Sequence, residues 1–141
     1  MKYVLTIALA ALAALSAARS HAQDAAMIDA ARKEGKVVWY TSLAIPSSTA
    51  LAHYFMNKYK GIEVIVNRNG SQRVLQMVMQ EAGASIKNVD VIHTSDAGHF
   101  VLLKGKGLLA QYSPKAAEVF PAGFKDPAGY FFGMRATLST I

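Results

Sequence analysis

The sequence predicts an α/β fold with a mostly parallel sheet flanked by helices. Three observations predict it. Short β-branched runs recur at 37–40, 62–67 and 89–93. Each is followed by a stretch whose apolar residues fall at helical spacing. Glycine, proline, serine or asparagine punctuates the junctions. Strand then helix, repeated, calls for parallel strands joined by right-handed crossovers.

The first 22 residues read as a cleaved export signal rather than as structure. Lys2 opens it, an apolar run over 4–15 is relieved only by Thr6, and Ser20 and Ala22 stand at small-x-small spacing. A membrane span needs about 20 apolar residues, and this run is shorter before Arg19 interrupts it. Cleavage after Ala22 places the folded part at 23–141, enough for one core of ordinary domain size.

The elements follow in order. A helix is expected over 24–34, capped by Asp24, with Met27, Ile28 and Ala31 inward and Gly35 ending it. The run 37–40 is a buried strand and 41–46 its exit loop. Ser47 or Ser48 caps a second helix running to about Tyr59, with Leu51, Tyr54, Phe55 and Tyr59 inward and Gly61 as the stop. The strand 62–67 sets Ile62, Val64 and Val66 against Glu63 and Ile65. After the Asn69–Gly70 turn, Ser71 opens a third helix with Val74, Leu75, Val78, Met79 and Ala82 inward. A third strand covers 89–93, and Asp96 caps a helix from Ala97 to about Lys104, broken by Gly105 and Gly107. An irregular stretch with Pro114, Pro121 and Pro127 leads to a turn at 126–129 and a last strand over 130–137.

Charge and composition narrow the function. Taking Lys2 and Arg19 from the 15 basic residues leaves 13 against 9 acidic ones. They are scattered, without the basic stripe and interleaved aromatics that nucleic-acid binding needs. An anionic solute fits this balance without being demanded by it. With no cysteine there is no disulfide framework, thiol nucleophile or lipid anchor on cysteine. His53, His93 and His99 lack metal-ligand spacing, so no metal site and no cofactor is expected. The nucleophile-elbow, dinucleotide and phosphate-loop motifs are missing, which argues against an enzyme.

Open parallel sheets bind ligands beyond the carboxyl ends of their strands, where helices begin with unpaired N–H groups. Three such junctions occur here, at 41–48, 68–71 and 94–98. Candidate ligand contacts are Thr41, Ser42, Gly70, Ser71, Ser95, Asp96 and Ala97, joined by Arg135 from the last strand. Helix capping alone accounts for Ser48, Ser71 and Asp96, although a cap can also touch a ligand. Asp96 would oppose an anion bound close by unless it turns away to cap its helix.

The stretch Glu34-Gly35-Lys36-Val37-Val38-Trp39-Tyr40-Thr41-Ser42-Leu43 resembles the opening of periplasmic solute-binding proteins of ABC importers, the ferric-iron-type branch above all. Tyr59-Lys60-Gly61-Ile62, Asp90-Val91-Ile92, Ser95-Asp96-Ala97-Gly98-His99, Lys106-Gly107-Leu108-Leu109 and 126–133 agree in the same order. The resemblance implies a type 2 periplasmic binding fold of two α/β lobes that trap a solute by hinge closure. Most of a first lobe is then expected at 23–141, with the second lobe lying outside this chain. Iron-binding members take tyrosines from the second lobe, and some add a histidine or tyrosine from the loop after the first strand. Here that loop, 41–46, has neither. Ferric iron, an organic anion, a phosphonate and a polyamine-like solute are all left open.

The function implied is solute capture in the periplasm and delivery to a permease of the inner membrane, by a protein that is monomeric at full length. An exported α/β enzyme or a periplasmic sensor domain are the alternatives. An enzyme would need its reactive groups beyond Ile141, and gene neighbours would separate an importer from a sensor.

Overall fold

The computed structural model describes residues 25–136. The export signal at 1–22, the Asp24 cap and the end of the last strand at Thr137 lie outside the described residues.

Helix α1 covers residues 25–34. It ends at Gly35, whose φ of +76° suits glycine and whose N–H donates to Ala31 O at 3.0 Å. Next come β1 (Lys36–Thr41), α2 (Ile45–Lys58), β2 (Glu63–Arg68), α3 (Ser71–Gly83), β3 (Val91–His93) and α4 (Ala97–Gly105). Two single turns of 3-10 helix, Lys115–Ala117 and Ala122–Phe124, punctuate the irregular stretch that follows. The three strands form one parallel sheet in the order β2-β1-β3.

β1 is central, and its alternation builds two unlike faces. Val38 and Tyr40 turn to one face and meet Val74, Leu75 and Val78 of α3 and Leu103 of α4. Val74 and Leu103 have no exposed surface at all. Tyr40 donates its phenol proton to Glu81 Oε1 at 2.6 Å and accepts from Asn88 Nδ2 at 2.9 Å. Burial first, then the bond to Glu81, raises the phenol above its ordinary value of 10.0. Val37, Trp39 and Thr41 turn to the opposite face.

Several expected details change. α2 begins at Ile45 with Ala44 as its N-cap, three to four residues before Ser47 and Ser48. Pro46 sits in the first turn, where its missing N–H costs nothing. Ser48 is therefore inside the helix, 1% exposed, with its hydroxyl donating to Ile45 O at 3.0 Å. The buried face also differs from the expected one. Ser48 and Ala52 are buried, with Phe55 and Tyr59 half-buried, while Leu51 and Tyr54 lie exposed. Met27 of α1 is also exposed rather than inward. That helix is tied on through Arg32 Nε, which donates to Lys60 O at 3.1 Å.

The expected strand at 130–137 is not one within the described residues. Lys125 and Phe132 form a single antiparallel bridge. Asp126 N–H donates to Phe131 O at 2.9 Å, so this segment folds back on its own preceding turn. Gly129, at φ +75°, makes that turn possible. Lys104 Nζ, 2.6 Å from Asp126 Oδ1, fastens the turn to α4. Tyr130 N–H donates to the other oxygen at 3.1 Å. The hydrogen bond from Lys104 is the main reason the Asp126 carboxyl lies below its ordinary 3.8.

Candidate functional site

The three strands end level. Thr41 pairs with Arg68 on one side and with His93 on the other, so the loops at 42–44, 69–70 and 94–96 leave from one edge. Backbone bonds lock them together. Ser42 N–H donates to His93 O at 3.0 Å and Asn69 N–H to Thr41 O at 2.9 Å. Arg68 Nε adds a bond to Leu43 O at 3.3 Å.

The candidate residues divide by what their polar atoms already do. Thr41 is 0% exposed. Its Oγ1 accepts from Leu43 N–H at 3.0 Å and lies 3.1 Å from His93 Nδ1, so it braces the loop from within. Ser42 differs. Its Oγ is buried and has no hydrogen-bond partner among the described residues, which costs free energy unless something else satisfies it. Gly70 is the N-cap of α3, so the capping role expected of Ser71 is not the one it plays. Ser71 reaches across instead: its Oγ lies 2.7 Å from Ser95 Oγ and accepts from Ser95 N–H at 3.0 Å. The glycine is not required by crowding, since a Cβ on Gly70 would meet nothing within 4 Å.

Asp96 caps α4 as expected, accepting from Gly98 N–H at 2.8 Å. Its second oxygen lies 3.5 Å from His99 Nε2. The carboxylate thus turns into its own helix start, the orientation that leaves room for an anion. α2 and α3 have neither a side-chain cap nor an acidic residue in the first turn. Their first N–H groups keep their donors and partial positive charge.

A cavity of about 1700 Å³ runs round the β3 side of the sheet, lined from both faces, by Trp39 and Phe55 on one and by Val78, Glu81 and Ala82 of α3 on the other. Ser95, Ala97 and Arg135 line it, together with His93, Trp39 and Phe131. Thr41, Ser42, Gly70, Ser71 and Asp96 lie outside its lining, on the loop edge. The structure therefore sorts the eight candidates into a loop-edge group and a cavity group, with Ser95 hydrogen-bonded to the first and lining the second. Burial first, and then the charge of Arg135, lowers His93 below its ordinary 6.5. Sequence reasoning had weighed His93 only as a metal ligand and not as a ligand contact. The available signal was its place at a strand's carboxyl end, level with Thr41. Among the described residues, no group of three or more His, Asp or Glu side chains could hold a metal ion.

A parallel strand–helix sheet with its loops gathered at the carboxyl edge defines the class, an open α/β architecture. No family model matches the sequence, and no curated protein matches it. Among solved structures, the chain is similar to iron-bound HitA from Pseudomonas aeruginosa, with a TM-score of 0.59 at 21% identity, over 67% of this chain and 30% of that one. It is also similar to IdiA (FutA) from Trichodesmium in complex with iron and citrate, with a TM-score of 0.60 at 24% identity, over 70% of this chain and 31% of that one. The likeness is one of fold. This chain spans about 30% of the length of those proteins.

Proposed function

We propose that this chain is part of the first lobe of a solute-binding protein serving an ABC-type importer. It would be exported through a signal at residues 1–22, capture a small solute in the periplasm and deliver it to an inner-membrane permease. The observation that carries the reading is the level ending of three parallel strands, which brings Ser42, Gly70, Ser71, Ser95, Asp96 and Ala97 to one edge. That edge offers hydroxyls and helix N–H groups, the donors suited to an anionic group. Thr41 supports it from beneath, and Arg135 stands on the adjoining cavity. The opposing wall would come from a second lobe closing over the first.

Solutes of the HitA and FutA kind, iron with or without an organic anion, belong in the screen because the fold is shared. This wall, lacking a metal-ligand cluster among the described residues, favours the anion over the metal as the group it touches. The test is a melting-temperature screen with ferric citrate, phosphate, phosphonates, organic acids and polyamines. A ligand that binds only the folded state must raise the midpoint. At least one class is expected to do so, and a flat response across all five sinks the proposal.

A further inference from the structure

Asparagine is a thermolabile residue, because its side-chain amide is open to attack by the main-chain nitrogen that follows it. Asn57, Asn67 and Asn88 precede Lys58, Arg68 and Val89, whose side chains crowd that nitrogen. Asn69 alone precedes a glycine. Asn57 and Asn67 also lie within α2 and β2, whereas Asn69 and Gly70 form the loop between β2 and α3.

The fold leaves this pair free to react. Asn69 N–H donates to Thr41 O at 2.9 Å and Gly70 O accepts from Val74 N–H at 2.9 Å, so the chain is held on either side. The peptide group between them, Asn69 C=O and Gly70 N–H, makes no hydrogen bond among the described residues. Gly70 is exposed, and a Cβ there would meet nothing within 4 Å, so the segment has room to turn. The Asn69 amide itself is tied through Nδ2, which donates to Asn67 Oδ1 at 2.6 Å. That bond is to the nitrogen that leaves and not to the carbon that is attacked.

We propose that Asn69 is a self-modification site that adds a negative charge to the loop edge. Hydroxide takes the proton of Gly70 N–H, and the nitrogen attacks Asn69 Cγ. The N–Cγ bond forms, the Cγ–Nδ2 bond breaks and ammonia leaves. Water then opens the cyclic imide at either carbonyl, giving aspartate or its β-linked isomer, each with a new carboxylate. The charge arises at the start of α3, whose first turn has no acidic residue of its own. On the capture reading above, an anionic solute at this edge would meet that carboxylate and bind less well.

The full chain is incubated at neutral and mildly alkaline pH, both folded and in guanidinium, and its peptides are read by mass spectrometry. Asn69 is expected to change from amide to acid, faster at the higher pH, while Asn57, Asn67 and Asn88 keep their amides. The folded chain should react within about tenfold of the unfolded one, because no hydrogen bond holds the reacting peptide group. Gly70→Ala, which the free space admits, should slow the change by about tenfold or more. Circular dichroism checks that the variant keeps its fold. An intact Asn69 in the folded chain while the unfolded chain converts overturns the proposal, and so does an equal rate in Gly70→Ala. The effect on capture is read separately, in the melting-temperature screen. Asn69→Asp should reduce the shift given by any acidic solute that stabilises the wild-type chain. An undiminished shift removes the effect on capture and leaves the modification standing. A flat wild-type screen removes the capture reading, on which the mass measurement does not depend.

Discussion

The sheet core and the segment after Pro121 are both rich in apolar side chains, yet they are covered to different degrees. Val38 and Tyr40 pack against α3, closed by Val74 and Leu103. Trp39, one residue away on the opposite face, is as buried, at 7% exposed, whereas Phe124, Phe132 and Met134 of the later segment are 42–51% exposed. The core stores stability in close packing. The later segment leaves apolar and aromatic surface uncovered, the state a protein accepts where something else must pack or enter. The contrast assigns folding to the sheet core and leaves the later segment as a surface for something else.

The sharpest way to break that assignment is to truncate a side chain in each region. Leu103→Ala removes a side chain with no exposed surface and should cost about 2–5 kcal/mol, read from urea midpoints. Phe131→Ala, at a half-buried position of the later segment, should cost clearly less, because its ring is only partly surrounded. Equal losses would mean that the later segment is packed core.

Tyr40→Phe tests the polar seam of the core. It strips Glu81 and Asn88 of the phenol, and among the described residues Glu81 Oε2 already has no partner. The expected loss is about 1–3 kcal/mol. The pH dependence follows from the raised phenol. A group whose folded-state pKa lies above its unfolded value stabilises fully below the unfolded 10.0 and loses that contribution as pH rises past it. The wild-type chain should therefore weaken above pH 10.0 by a component that Tyr40→Phe lacks.

In the later segment, Asp126 with its partner Lys104 gives the opposite sign. Asp126 is lowered, so its contribution is present above the ordinary 3.8 and fades as pH falls below it. Lys104→Met should remove the largest cause of that lowering, weakening the chain at neutral pH and flattening its loss in acid. Urea midpoints compared at neutral pH and near pH 3 measure it. An unchanged acid profile would show that the turn at 126–129 is held by its backbone alone.

Much of this was legible in the sequence, for local reasons. The strands announced themselves through β-branched runs, and Asp96 through the residue type a helix start prefers. What escaped notice depended on groups distant in the chain. Nothing near Ser71 says that its hydroxyl meets Ser95, 24 residues on. The start of α2 was misjudged because two serines looked like better caps than Ala44, and the proline between them and the strand decided otherwise. The segment after Pro127 carries strand-forming aromatics, but among the described residues its backbone pairs with the turn just before it and not with the sheet.

The smallest expected effect separates two accounts of Ser71. As a cap, its hydroxyl would act on α3 alone, and Ser71→Ala would add independently to Ser95→Ala. As the bridge described above, it shares one hydrogen bond with Ser95, so the double substitution should cost less than the sum of the singles. Each single change should cost about 0.5–1.5 kcal/mol. Ser95→Ala should be the milder, because Ser95 N–H still donates to Ser71 Oγ when the Ser95 hydroxyl is gone. A full double-mutant cycle on urea midpoints reads the difference. Strict additivity would detach the α3 start from the β3–α4 loop and leave the loop edge as three independent turns.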